Sequence, residues 1–223
     1  MFSFGIVSEG ITDQIVIENI LFGFFNNPDL VINYLLPLRD ETDENRMEKP
    51  SNWVEVFEYC ASTKLKQEIQ TNDFLIIQID TDVLLGDSIS KKYKIFLKNE
   101  IPIPEIIEQV KSKCISLITE EFYKMYAHKI IFGISVHSIE CWLLPIYFSN
   151  QTAKASKTVN CLKTLNEILP QQEGFYIDRK EPKYYRKISK YYKKQNNLLD
   201  SYTLNPSLQI FVEEVKSKTI PLP

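Results

Sequence analysis

The run Phe74-Leu-Ile-Ile-Gln-Ile-Asp80 constrains this chain more than any other stretch. It is apolar at consecutive rather than alternate positions, so a strand made from it has to be covered on both faces, as the strands of a parallel sheet between two helical layers are. The surrounding sequence supplies the matching pieces. Residues 2–7 form a short apolar run ended by Ser8-Glu9-Gly10, after which Ile11, Ile15, Val16, Asn19, Ile20 and Phe24 recur at helical spacing. Residues 31–38 read as a second strand, 53–69 as a helix, and Ile106, Ile107, Val110, Cys114, Leu117, Ile118 and Phe122 mark one face of a further long helix. Residues 129–137 read as a strand, with Ser138 as the cap of a helix that contains Glu140, Trp142 and Leu143. The order β-α-β-α-β-α-β-α predicts an α/β fold: a mostly parallel, Rossmann-like sheet with helices on both faces and right-handed crossovers. The polar stretches 39–52 and 84–99 are expected to be exposed connections.

Beyond residue 150 the apolar density falls. The chain divides into a core domain over 1–150 and a smaller helical, basic and aromatic subdomain over 151–223, ending in a tail at 220–223 that is either frayed or a docking segment. A chain of 223 residues with 44% hydrophobic and 25% charged residues can bury a substantial core and lies outside the disordered classes. Its formal charge of −3 means that nucleic acid would have to be met by a local basic surface. Such a surface exists in sequence: Arg179, Lys180, Lys183, Arg186, Lys187, Lys190, Lys193 and Lys194, interleaved with Tyr184, Tyr185, Tyr191 and Tyr192. Of these, Arg179, Lys180, Arg186, Lys187 and Lys190 are the candidates for phosphate contacts, and Tyr184 and Tyr185 for base stacking. A solvated helix face with its tyrosines turned inward has the same composition.

The four cysteines, Cys60, Cys114, Cys141 and Cys161, include no C-x-x-C pair and read as buried thiols of a reducing compartment. No basic start with a cleavage site and no membrane-length apolar run is evident, so the expected location is the cytoplasm, without a membrane partner.

The candidate chemistry is acidic. Glu9 falls just past the first strand and Asp80-Thr81-Asp82 at the end of the strongest one, so the topology brings both to the carboxyl rim of the sheet, where α/β folds collect their binding groups. Clustered carboxylates repel one another unless a cation neutralises them, and oxygen donors favour Mg²⁺ or Mn²⁺. Each acid taken singly also fits a turn or strand end. Glu140, in the first turn of a helix after the fourth strand, is a further candidate ligand, although the helix dipole alone would favour it there. His137 is placed to face the site from a strand end, and His128 is read as structural. Lys183, beside Pro182, is chosen on chemistry as the cation that would stabilise the charge of a reacting phosphate. Gly133-Ile-Ser135 lacks the last glycine of a nucleophile elbow, and no phosphate-binding G-x-x-x-x-G-K-[ST] loop is present, so serine hydrolysis and an ATPase of the chain's own are set aside.

Glu9-Gly10-Ile11-Thr12-Asp13 after one strand and Asp80-Thr81-Asp82 after another resemble the TOPRIM domain of topoisomerases, bacterial primases and OLD-type nucleases, over roughly residues 2–145. Ser138-Ile-Glu140-Cys-Trp142-Leu-Leu is similar to small stand-alone TOPRIM-like proteins, several from phage-defence systems. The resemblance implies that Glu9 acts as metal ligand or acid/base, that Asp80 and Asp82 bind Mg²⁺, that Glu140 joins them, and that Asp13 supports them from the helix. It implies an Mg²⁺-dependent nuclease of a defence or toxin-like system, acting on DNA or RNA and served by a partner ATPase. Two rivals remain: a catalytically silent adaptor, and an enzyme of a small phosphorylated substrate. No topoisomerase tyrosine or primase zinc motif is assignable, and a homo-oligomer stays open.

Overall fold

The computed structural model describes residues 2–39, 52–82 and 101–219; the expected connection at 84–99, that at 39–52 except its two end residues, and the tail at 220–223 lie outside the described residues. Four strands, β1 (Ser3–Val7), β2 (Val31–Leu36), β3 (Phe74–Asp80) and β4 (Ile130–Ser135), pair in parallel in the order β2-β1-β3-β4. The fold is α/β with helices on both faces of an all-parallel sheet, as the alternation of strands and helices implies. β3, the most apolar run of the sequence, takes a central position and is buried at every residue.

The pleat divides the core in two. Phe4, Ile6, Phe74, Ile76 and Ile131 point to one face, and Val7, Leu75, Ile77, Ile79, Ile130, Phe132 and Ile134 to the other. The second face is covered by α2 (Trp53–Cys60), α3 (Thr63–Thr71), α4 (Ile103–Ile118) and α5 (Glu120–Tyr126). The first is covered by α1 (Ile11–Phe25) together with everything after β4: a 3-10 turn at Ile139–Leu143, the short helices α6 (Leu144–Tyr147), α7 (Thr152–Ala155), α8 (Cys161–Asn166) and α9 (Leu169–Gln172), then α10 (Pro182–Ser189), α11 (Gln195–Ser201) and α12 (Pro206–Thr219). The C-terminal segment thus shares one core with α1: Tyr185, Ile188, Tyr192, Leu198 and Phe211 are buried in the same cluster as Ile15, Val16 and Ile20. Asn19 on α1 donates to Ser189 Oγ at 2.6 Å, and Phe211 stacks on Trp142 at 5.0 Å between centroids. Gly23 lets the backbone after α10 come close, because a Cβ there would lie 1.8 Å from the Tyr192 carbonyl oxygen.

Three local expectations are corrected. The helix read over 53–69 is two, separated at residues 61–62, where Ser62 caps α3 by accepting the Leu65 N–H at 3.3 Å. The long helix ending near Phe122 breaks at Thr119, whose φ of 82° leaves the helical region. Ser138 makes no side-chain cap, and Glu140 lies in a 3-10 turn rather than an α-helix.

The cysteine reading also divides. Cys60 and Cys114 are buried free thiols on the α2–α5 face, whereas Cys141 and Cys161 form a disulfide. The chain returns after α7 and sets their Cα atoms 5.0 Å apart, a proximity that a separation of 20 residues does not display as a motif. Among the described residues no helix is long and apolar enough to cross a membrane.

Candidate active site

The rim of the sheet on the α1 side collects acids from the ends of three neighbouring strands. Glu9 follows β1, Asp80 ends β3 and Asp82 lies two residues beyond, while Asp13 is in the first turn of α1 and Glu140 in the 3-10 turn after β4. Asp13, Asp80 and Glu140 are buried, Glu9 is partly exposed and Asp82 exposed. Glu9 Oε1 accepts the Asp80 backbone N–H at 2.8 Å, which locks the ends of β1 and β3 together. Gly10 fits here because a Cβ would come within 3.0 Å of Asp13 Oδ2.

The ladder between β3 and β4 continues past their last residues. Thr81 N–H donates to the Ser135 carbonyl at 3.1 Å, His137 N–H to Thr81 Oγ1 at 2.7 Å, and Asp82 N–H to the His137 carbonyl at 2.9 Å. His137 adopts a left-handed backbone at φ 70°, uncommon for a residue with a side chain, and so turns the chain from β4 into the segment that carries Glu140. Its Nδ1 and Asp13 Oδ1 are both buried without a hydrogen-bond partner among the described residues.

Among the described residues, the cation that reaches these acids is Lys180. Its Nζ is 3.0 Å from Glu140 Oε1 and 3.9 Å from Asp80 Oδ2, and its side chain remains 46% exposed, so it reaches in from the surface. The buried Tyr185 hydroxyl donates to the same Glu140 oxygen. Lys183, chosen from sequence for this role, is exposed and pairs instead with Glu181 at 2.6 Å. The reason is local: Lys180 belongs to the irregular segment before α10, whereas Lys183 is already on the helix, whose inward side is taken by Tyr185 and Ile188.

Electrostatics follow from this crowding. Burial, then the charges of Asp13 and Asp82, push the Glu9 carboxyl up to about 8 against the opposing Asp80 N–H and Lys180. Burial raises Asp13 to about 7, with Lys180 opposing and Glu140 reinforcing. Asp80 is raised well above the carboxylate range by burial and by Asp13 and Glu9. Burial would also raise Glu140, but Lys180 and the hydrogen bonds from Ser138, Tyr185 and Lys180 hold it below its ordinary value. Burial works against the Lys180 charge and is outweighed by Glu140, Asp80 and Asp13, which raise its pKa.

The basic segment is only partly the surface its composition suggests. Arg179, Arg186 and Lys190 are exposed; Lys187, also exposed, pairs with Glu173 at 3.6 Å and lies over the Phe175 ring at 4.8 Å. Tyr184 stacks on Phe175 at 4.9 Å, and Tyr185 is fully buried on Glu140, so Tyr185 offers no ring to a base. Sequence reasoning passed over Gln78, the one polar residue inside the apolar run of β3, and that interruption was the available signal.

Among the described residues no group of three or more His, Cys, Asp and Glu side chains is arranged to hold a metal ion as it stands. Comparisons with protein-family models, with curated proteins and with solved structures return no match.

Proposed function

We propose that this chain is a divalent-cation-dependent hydrolase of nucleic-acid phosphodiesters, with Glu9, Asp80, Asp82 and Glu140 as the cation's ligands. The observation that carries the reading is the convergence of acids from three adjacent parallel strands around Lys180, with the buried Asp13 Oδ1 left without a partner among the described residues. The donor set fits Mg²⁺ or Mn²⁺: every candidate ligand is a carboxylate oxygen, and positive charge would relieve the mutual repulsion of the acids, which together with burial raises Glu9, Asp13 and Asp80. Binding requires Asp80 and Glu140 to exchange Lys180 for the ion. The TOPRIM resemblance of Glu9-Gly10 and Asp80-Thr81-Asp82 points to the same chemistry.

When bound, the ion would neutralise charge on the phosphate and activate a water. The chain's own groups would do the rest. Lys180, once released from the carboxylates, would meet a non-bridging phosphate oxygen. Arg179, Arg186 and Lys190 would hold the flanking backbone from the exposed side. Service by a partner ATPase and a defence role rest on the resemblance alone. The expected cytoplasmic location belongs to this reading too, and the Cys141–Cys161 bond weighs against a reducing compartment.

A second reading, a silent adaptor that binds nucleic acid or a partner, is favoured by Lys180 itself, which already supplies a counter-charge to Glu140 and Asp80. Incubation of plasmid, single-stranded DNA and tRNA with the purified chain in Mg²⁺, Mn²⁺ or EDTA, beside Asp80→Ala, separates the two. Metal-dependent cutting lost in the variant is expected. Binding without turnover would select the adaptor, and cutting by Asp80→Ala at the wild-type rate would remove the site.

A further inference from the structure

Beneath the rim carboxylates lies Gln78, fully buried, two residues before Asp80 and on the same face of β3. Its carboxamide touches the ends of all three strands that build the site. Oε1 accepts the Glu9 backbone N–H at 3.3 Å, and Nε2 donates to Asp80 Oδ1 at 2.8 Å and to Ser135 Oγ at 3.4 Å. The orientation of the amide follows from its partners: turned over, it would set its NH₂ against an N–H and its oxygen against a carboxylate. The other residues of β3 before Asp80 are apolar, and a leucine or methionine at 78 would meet the needs of the sheet without the cost of desolvating an amide. What the glutamine adds is a fixed relation between Glu9, Asp80 and Ser135.

We propose that Gln78 is a positioning residue of the cation site: it anchors Asp80 through Oδ1, so that Oδ2, the oxygen facing Lys180, is the one offered to an ion, and it ties the Glu9 backbone to the same amide. The inference rests on the function proposed above and adds to it the residue that sets the ligand geometry. Gln78 touches neither substrate nor ion and acts through Asp80 and Glu9.

Two substitutions separate positioning from packing. Gln78→Met keeps the volume and removes all three hydrogen bonds; Gln78→Leu removes the same three with a branched apolar side chain. Calorimetric titration with Mn²⁺, with cleavage kinetics alongside, is expected to show Mn²⁺ affinity and kcat each reduced about 10- to 100-fold, with KM for nucleic acid unchanged. A melting curve identifies which variants fold, and the Leu variant carries the test should the Met variant not. A folded variant with wild-type Mn²⁺ affinity and kcat overturns the role of Gln78 and leaves the cation site standing. Wild-type protein that takes up no Mn²⁺ overturns both.

Discussion

The two faces of the sheet are made by alternate residues of the same strands, yet they differ sharply at the carboxyl rim. Toward α2–α5, Leu75, Ile77 and Ile79 of β3 and Phe132 and Ile134 of β4 continue an apolar core to the end of the strands. Toward α1 and the C-terminal helices the same strands begin apolar, with Phe74, Ile76 and Ile131, and then turn polar as Gln78, Asp80 and Ser135. Because side chains alternate across a strand, one strand can serve a purely cohesive face and a chemical one at once, with no loop inserted. Burial on the polar face leaves Asp80 and Glu140 sharing Lys180.

This contrast can be broken in several ways, and the largest effect is expected on the apolar side. Ile77→Ala removes a fully buried side chain between β3 and the covering helices and should cost about 2–5 kcal/mol in denaturant unfolding, with Mn²⁺ affinity unchanged. A loss of Mn²⁺ affinity as large as that of a rim variant would show that the faces are not separable. Gly23→Ala, on the other side, drives a Cβ into the Tyr192 carbonyl, a backbone atom that cannot swing away, and should cost about 1–3 kcal/mol through the contact of α1 with the C-terminal segment.

A smaller effect with a diagnostic sign concerns pH. Glu9 and Asp13 have folded-state values near 8 and 7, above those of an unfolded chain, so between about pH 4.5 and 8 the native state binds more protons than the unfolded one. Their contribution is fully present below the unfolded pKa and is lost as pH climbs through the folded values. Metal-free protein should therefore melt at a lower temperature at pH 8 than at pH 5.5, and Asp80→Asn should flatten the slope; stability that rises over this range would contradict the crowding of acids. The smallest expected change is in thiol count: two free thiols per denatured chain, from Cys60 and Cys114, rising to four after reduction.

The same contrast decides what could be read beforehand. The parallel sheet was legible because consecutive apolar residues in 74–80 admit few other fates, and the rim acids because each follows a strand end. Lys180 and Lys183 could not be told apart, since both flank Glu181-Pro182 in a stretch rich in lysine and arginine on both sides. Only the start of α10 at Pro182, with Tyr185 inward, assigns Lys180 to the acids. The inward tyrosines were one of two readings of the segment, and packing against α1 decided for Tyr185 and Tyr192. Gln78 was visible as a polar interruption, but its meaning depends on Glu9 and Ser135, which lie 69 and 57 residues away.

The most direct test of the central claim is anomalous diffraction from crystals grown with Mn²⁺. The account predicts an anomalous peak at the rim, ligated by Asp80 Oδ2 with Glu9, Asp82 or Glu140, and Lys180 displaced from the carboxylates. Saturating Mn²⁺ with no peak at the rim, and Lys180 still on Glu140, would contradict it.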